Sequence, residues 1–308
     1  MTRADATIAA VERETGIGKD TLRVWERRYG FPAPGRDALG ERLYPSEQVE
    51  RLRLVRRLLD SGHRPGKVVG LPYDALLALV PDASPEAVAA ASPAADGHAG
   101  PNVAARMALL RHHDMDALRR SLAQAAAQLG LSRFVTEVVV PMNALVGDAW
   151  LRGELQIFEE HLYTEAVTAV LRHGIHTLPP GAPHRPRVLL TTFPKEPHSL
   201  GLLMAETMLA LQGCTCLSLG PQTPMDDIVR AAAAQRSDAV ALSFTGSLNT
   251  NYVLAGLAAL RAQLPAAVEI WVGGQCPALY RRAMPGIVPL PSFESLSAHL
   301  AQWQRAAA

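Results

Sequence analysis

Residues 187–201, RVLLTTFPKEPHSLG, combine a branched apolar run, a polar loop and the start of an apolar helix. Three later runs share the short, branched character of the first: TCLSLG at 215–220, DAVALSF at 238–244 and EIWVGG at 269–274. Helical segments such as LGLLMAETMLALQG and NYVLAGLAALRAQL separate these runs. Strands that alternate with helices form a parallel sheet covered on both faces. We therefore predict a doubly wound α/β domain, of Rossmann or flavodoxin-like type, over residues 185–306.

Small and polar residues stand where the predicted strands end. The loop histidine of the first stretch is followed by Gly201, and 41 residues then separate Gly201 from Ser243 at the end of the third strand. A further 27 residues separate Thr245 from Gly273 and Gly274, which end the fourth strand. Ligands of doubly wound sheets bind beyond the carboxyl ends of the strands. We expect these residues to converge on one crevice.

The middle of the chain has the periodicity of helices. Four stretches between residues 102 and 180 place apolar residues at helical spacing: VAARMALLRHH, MDALRRSLAQAAAQLG, SRFVTEVVVPMNALVGDAW and FEEHLYTEAVTAVLRHGI. Helices of this length with short joints predict a four-helix bundle. Before it, residues 79–101 are rich in Ala, Pro, Ser and Gly without periodicity, which predicts a flexible linker.

The first 78 residues have the pattern of a winged helix-turn-helix. A first predicted helix is followed by the turn TGIG at 15–18 and by a second helix over Lys19–Tyr29. The second helix carries Leu22 and Trp25 on one face and Arg23, Glu26 and Arg27 on the other, exposed face. A segment bounded by Pro and Gly then carries Arg36 and Arg42 and predicts the wing. Residues 1–70 hold 14 Lys/Arg against 10 Asp/Glu, whereas the remainder holds 16 against 19. The excess positive charge lies where a nucleic-acid partner would bind.

The composition excludes several classes of protein. Three cysteines in 308 residues do not form a disulfide framework, and Cys214 and Cys216 occupy alternate positions of a predicted core strand. The sequence has no apolar run of membrane-spanning length, and its first residues lack the apolar core of a signal peptide. We expect a cytoplasmic protein that does not associate with membranes.

The front of the chain resembles the MerR family of winged-helix transcription regulators. The resemblance rests on TLRVWERRYG at 21–30, on the predicted wing and on YPSEQVERL at 44–52. Gly18 departs from the serine that often caps the second helix. The resemblance implies that the chain binds double-stranded operator DNA. The residues that would contact phosphates or guanine edges are Lys19, Arg23, Arg27, Arg36 and Arg42.

The α/β domain resembles the B12-binding fold. Its loop has an acidic residue, Glu196, two positions before His198 and a glycine three positions after it, and the later strand ends follow at the family's spacings. Glu196 replaces the commoner Asp, and Thr245 stands where Leu is usual, which we expect to alter the pocket for the cofactor's nucleotide tail. The resemblance implies that His198 is the lower axial ligand of cobalt and that Glu196 holds the other ring nitrogen. The remaining cofactor-binding residues that it implies are Gly201, Ser243, Thr245, Gly273 and Gly274.

The bundle adds a third motif, in which nine residues separate Trp150 from Glu160-His161. Together with the two resemblances above, this motif resembles the cobalamin-dependent photoreceptor repressors of the CarH/LitR type. That resemblance implies that Trp150, Glu160 and His161 surround the upper group of adenosylcobalamin. It further implies that a dark homo-oligomer, a dimer or a tetramer, binds the operator, and that light cleaves the cobalt–carbon bond and releases the DNA. Some members have a second histidine where this chain has Leu151, so the cobalt ligand after photolysis is water or His161.

Three alternatives remain open from the sequence. A corrinoid methyl-transfer protein also joins a bundle to a B12 fold, but it has no use for a winged helix, and the chain has no substrate domain. A MerR-type sensor could bind cobalamin without light-driven disassembly. A second chromophore such as a bilin could bind beside cobalamin, and no sequence feature tests this. The preferred hypothesis is a regulator and not an enzyme.

Overall fold

A computed structural model of the chain describes residues 5–60, 63–79, 103–152, 154–178, 186–246 and 248–307. The predicted linker falls almost entirely on residues 80–102, which lie outside the described residues. The chain divides into two compact units, one formed by residues 1–98 with 142–161 and the other by residues 99–141 with 162–308. Among the described helices, none is long and apolar enough to cross a membrane.

The DNA-reader pattern folds as a winged helix within the first unit. Its helices are α1 Ile8–Thr15, α2 Lys19–Tyr29, α3 Ser46–Asp60, α4 Pro65–Val68 and α5 Tyr73–Leu77. Its three antiparallel strands are β1 Ala6–Thr7, β2 Gly35–Arg36 and β3 Arg42–Tyr44, in the order β1-β3-β2. The helices, the turn and the wing were predicted, whereas β1 was not, because two residues carry no readable alternation.

Local hydrogen bonds explain the turn between α1 and α2. Gly16 ends α1 in the left-handed conformation, with φ of 68°, and its N–H donates to the Glu12 carbonyl at 2.9 Å. Gly18 has no side chain to cap α2. The Glu12 carboxylate takes over this function by accepting from the Lys19 N–H at 3.2 Å. The departure at Gly18 is therefore compensated by a carboxylate of the preceding helix. Leu22 and Trp25 are buried, as predicted.

All four middle stretches are helical. Their elements are α6 Val103–Arg111, α7 Met115–Leu129, α8 Leu131–Arg133, a π-helical segment Phe134–Val139, α9 Val140–Leu151 and α10 Ile157–Thr177. The π-helical segment was not predicted. It ends at Val139, and only Val140 separates it from Pro141, which has no N–H to continue the α-helical hydrogen bonds. The Val140 N–H donates to the Val135 carbonyl, five residues earlier.

The second unit contains the predicted parallel sheet. Its strands are β4 Arg187–Thr191, β5 Thr215–Gly220, β6 Ala239–Phe244, β7 Glu269–Gly274 and β8 Ile287–Pro289, in the order β5-β4-β6-β7-β8. The helices between and after them are α11 Leu200–Leu211, α12 Met225–Ala234, α13 Thr250–Gln263, α14 Ala278–Arg281 and α15 Phe293–Ala307. All four pairings are parallel, so the doubly wound fold is confirmed. The core on one face includes the edge-to-face pair Phe193 and Phe244, whose ring centroids are 5.0 Å apart.

Candidate functional site

The buried side chain of Thr192 fixes the loop after β4. Thr192 donates its hydroxyl proton to the Glu196 carbonyl at 2.6 Å and accepts from the Gln222 N–H at 2.8 Å. The Glu196 N–H donates to the Phe193 carbonyl at 3.0 Å, which closes a tight turn. Lys195 within that turn has a φ of 71°. The loop therefore has a defined shape at the carboxyl edge of the sheet.

A buried carboxylate at this edge contacts a half-exposed imidazole. Oε1 of Glu196 lies 2.7 Å from Nδ1 of His198, and the side chains are 0% and 56% exposed. Thr245 donates to Oε2 of Glu196 from its backbone N–H at 3.0 Å and from its hydroxyl at 2.9 Å. Burial by itself would raise the pKa of the Glu196 carboxyl, but the hydrogen bonds from His198 and Thr245 outweigh it and hold the pKa below its ordinary value.

This contact determines which nitrogen of His198 can coordinate a metal. An ionised carboxylate only accepts hydrogen bonds, so Nδ1 carries the proton and Nε2 carries the lone pair. A carboxylate that bonds the non-coordinating nitrogen of a metal-binding histidine fixes the ring and raises its basicity. The contact between Glu196 and the imidazole that the sequence led us to expect is present. Imidazole nitrogen is a suitable donor for cobalt.

Small residues line the strand ends beside the imidazole. Ser243 pairs with Gly273 across β6 and β7. A Cβ atom on Gly201 would lie 2.9 Å from Oγ of Ser243, and one on Gly273 would lie 3.2 Å from the Leu290 carbonyl oxygen. At Gly274, where φ is 105°, it would lie 2.2 Å from the Phe244 carbonyl oxygen. At each of these positions the missing Cβ lets neighbouring protein atoms approach closely, so the strand ends and the start of α11 pack tightly beside the imidazole. The donor atom of His198 fits the cobalt of a corrinoid.

The third motif lies in the first unit. Glu160 Oε2 is 2.6 Å from Nδ1 of His161, whose side chain is 70% exposed. Trp150 is half-buried, and its ring centroid lies 5.7 Å from Cζ of Arg53 in α3. Arg53 is buried and donates to a carboxylate oxygen of Glu14 at 2.7 Å. The tryptophan of the motif therefore contacts the winged helix itself.

Four of the five predicted DNA-contacting side chains have a partner within the domain. Arg23 pairs with Asp20 at 3.0 Å, and Lys19 pairs with Glu12 at 3.4 Å. In the wing, Arg36 donates to the Gly40 carbonyl at 2.7 Å, and Nε of Arg42 lies 3.0 Å from a carboxylate oxygen of Glu26. Arg27 is exposed on the outer face of α2. Arg42 thus joins the wing to α2, the helix expected to enter the major groove and called the recognition helix below. The exposed arginines of α2 supply positive charge that can bind DNA phosphates.

Two residues of these networks were not predicted from the sequence. Glu26 accepts from Arg42 and from the Tyr44 hydroxyl, the latter at 2.8 Å, although it was expected on an exposed face. Thr245 was expected to alter the space for the nucleotide tail, but it also binds the Glu196 carboxylate. Sequence spacing places Thr245 near the loop, but only the fold shows the direction of its hydroxyl. The two threonines at 191–192, at the end of the first strand, were the sequence feature that could have predicted an ordered loop after β4.

Comparisons with known proteins agree with this organisation. Residues 6–71 match the MerR HTH family regulatory protein model, and residues 107–173 and 186–288 match two B12 binding domain models. The chain is 32% identical to the HTH-type transcriptional repressor CarH of Myxococcus xanthus, over 84% of this chain and 85% of that protein. It is 31% identical to the repressor CarA of the same organism, over 77% and 75% respectively.

A solved structure shares the fold. The monomethylamine corrinoid protein of Methanosarcina barkeri superposes with a TM-score of 0.51 at 16% identity, and covers 64% of this chain and 96% of its own. At this identity the likeness shows the fold alone.

Proposed function

Since this chain belongs to the CarH-type family of B12-binding MerR transcriptional repressors, we propose that it is a light-responsive repressor whose chromophore is adenosylcobalamin. Family membership makes it a non-enzymatic regulator that binds DNA and cobalamin. The observation that carries the cobalamin site of this proposal is the buried Glu196 carboxylate at 2.7 Å from Nδ1 of His198.

His198 would hold the cobalt from below through Nε2. Glu196 keeps the proton on Nδ1, and Thr245 keeps the Glu196 carboxylate ionised and oriented, so that the ring presents its lone pair to the metal. The cofactor's nucleotide tail would enter beside Gly201, where a side chain would meet Ser243. The upper side of the cofactor is assigned by family resemblance to Trp150, Glu160 and His161.

When bound, adenosylcobalamin supplies a cobalt–carbon bond that visible light cleaves. Trp150 contacts Arg53 of α3, and Arg53 in turn is paired with Glu14 of α1. A residue proposed to touch the cofactor thus touches the domain that reads DNA. This contact supports coupling between cofactor binding and DNA binding, because a coupled pair of sites needs an element that both ligands bias.

In the dark, we propose that a homo-oligomer, a dimer or a tetramer, presents several winged helices to a repeated operator. Tethered readers raise the apparent affinity without new contacts, so loss of the oligomer in light releases the DNA. The exposed arginines of α2 make this binding steeply dependent on salt.

The experiment loads the full chain with adenosylcobalamin in darkness and records the absorption spectrum, the molar mass and DNA binding before and after green light. The expected result is a spectral change together with a lower mass and released DNA. An unchanged spectrum contradicts the photoreceptor function. A spectral change at constant mass and constant DNA affinity favours instead a cobalamin sensor that acts without light-driven disassembly.

A further inference from the structure

The tip of the wing presents one large apolar side chain to solvent. Leu39 is 89% exposed, the highest fraction among the exposed large hydrophobic residues that the structure describes. It lies in the five-residue connection between β2 and β3, and at this exposure it adds almost nothing to the apolar burial that stabilises the fold.

A dense set of hydrogen bonds holds this tip in one conformation. Oδ1 of Asp37 accepts from the N–H groups of Leu39 and Glu41, at 2.9 and 2.8 Å. The Asp37 N–H donates to the Glu41 carbonyl and the Gly40 N–H donates to the Asp37 carbonyl, each at 3.0 Å. Gly40 adopts a φ of 82°, which glycine tolerates. Arg36 donates to the Gly40 carbonyl at 2.7 Å.

The stem of the wing is fixed to the recognition helix. Nε of Arg42 contacts both carboxylate oxygens of Glu26, at 3.1 and 3.0 Å, and the Tyr44 hydroxyl donates to the same carboxylate at 2.8 Å. Leu39 is therefore held at a set distance from the exposed arginine face of α2. Two N–H groups direct the Asp37 carboxylate into the turn, which reduces its electrostatic repulsion with DNA phosphates.

We propose that Leu39 is an apolar wedge that enters the minor groove of the operator and partly unstacks one base step there. With α2 in a major groove, the wing reaches the adjacent minor groove. Proteins that use that groove insert leucine and similar side chains between base steps, with basic residues nearby, as Arg36 is here. A rigid turn suits this role, because the wedge must not fold back when it meets the bases. The inference rests on the DNA-binding part of the proposed function.

The test uses the full-length protein, loaded with adenosylcobalamin in darkness, and a duplex that the wild type selects from a random pool. 2-Aminopurine is placed at successive positions of that duplex, since its fluorescence rises when it is unstacked. Wild type should raise the fluorescence at one step in each half-site. Leu39→Ala should abolish that signal and weaken binding roughly 10-fold. The dependence of affinity on salt should not change, because no phosphate contact is lost.

Two controls separate a wedge from a general defect. Leu39→Met keeps a large apolar side chain and should retain most of the signal. Leu211→Ala removes another exposed leucine, 39% exposed on α11, and should bind like wild type. Where the unstacked step contains an A·T pair, its exchange for I·C alters the major groove but not the minor groove, so binding at that step should survive.

The outcomes separate this inference from the proposed function. If wild type unstacks no base, or if Leu39→Ala binds as tightly as wild type, the wedge is wrong while light-dependent release can still hold. A Leu39→Ala variant that only changes its molar mass also overturns the wedge, in favour of contact between copies. If the signal depends on Leu39 but light releases no DNA, the wedge stands and the photoreceptor function fails. A wild type that selects no duplex overturns both.

Discussion

Oε1 of Glu196 lies 2.7 Å from Nδ1 of His198, and the carboxylate is fully buried where the imidazole is half-exposed. The charge that orients the ring is thus protected from solvent, while the ring itself is accessible. We therefore expect Glu196, which orients the imidazole of the proposed cobalt ligand His198, to contribute to cofactor retention.

Glu196→Gln should weaken cobalamin binding roughly 10- to 100-fold, and His198→Ala should weaken it further. The amide can donate as well as accept, so it no longer fixes the imidazole proton on Nδ1. The affinity is measured by spectrophotometric titration of the purified protein in darkness. Glu165→Gln, a change at an exposed position of α10, serves as the control and should bind like wild type. Equal affinities for all three variants would remove His198 as the ligand.

Gly201→Ala and Gly274→Ala should fail in different ways. The new Cβ at Gly201 meets only the Ser243 hydroxyl, which can rotate, so stability should change by less than about 1 kcal/mol while cobalamin binding weakens. At Gly274 it meets the Phe244 backbone at 2.2 Å with φ at 105°, and stability should fall by roughly 2 kcal/mol or more. Urea unfolding and cofactor titration of both variants separate the two effects. A loss of stability at Gly201 alone would contradict this assignment.

Glu206 should give the free energy of unfolding a negative dependence on pH. Burial raises the pKa of its carboxyl above 4.5, although Arg172 Nη1, at 2.9 and 3.0 Å from the two oxygens, partly offsets this. The folded state then binds the proton more tightly than the unfolded state does. The contribution is complete below the unfolded pKa and is lost as pH rises through the folded one.

The measurement compares urea unfolding of wild type and Glu206→Gln from pH 4 to pH 8. Relative to the glutamine variant, wild type should lose stability as pH rises from about 4.5. Parallel curves, or a wild type that gains relative stability over this range, would show that the carboxyl titrates as it does in the unfolded chain.

Cys214 and Cys216 should resist alkylation in the folded protein. Burial raises the pKa of the Cys214 thiol to about 12 and that of Cys216 still further. Little of either thiol is then a thiolate at pH 8, and the thiolate is the reactive form. Iodoacetamide followed by peptide mapping should modify neither residue until urea unfolds the chain. The structure corrects the sequence prediction here: Cys214 is buried just before β5, and Cys216 within β5 is only half-buried. Rapid labelling of Cys214 in the native protein would contradict its burial.

The sequence predicted four of the five strands of the parallel sheet and most elements of the winged helix because their periodicities are local. The short strands β1 and β8 were missed, since two or three residues carry no readable alternation. The proximity of Glu196 to His198 was also predictable, since only Pro197 separates them in one loop. The hydrogen bonds from Thr245 to Glu196 were not predictable, because they depend on how two loops that follow different strands turn towards each other. The π-helical segment and the pairing of Glu26 with Arg42 were missed for a similar reason. Each arises from a conflict or contact that residue type alone does not reveal.

Glu26 binds both Arg42 and Tyr44, so α2 and the wing approach DNA as one rigid body. If α2 and the wing moved independently, each would lose rotational freedom on binding DNA, and each loss would oppose association. A shared anchor confines that freedom during folding, before DNA is encountered. Contacts in neighbouring grooves then form together. The fixed angle between α2 and the wing favours duplexes whose groove spacing matches it.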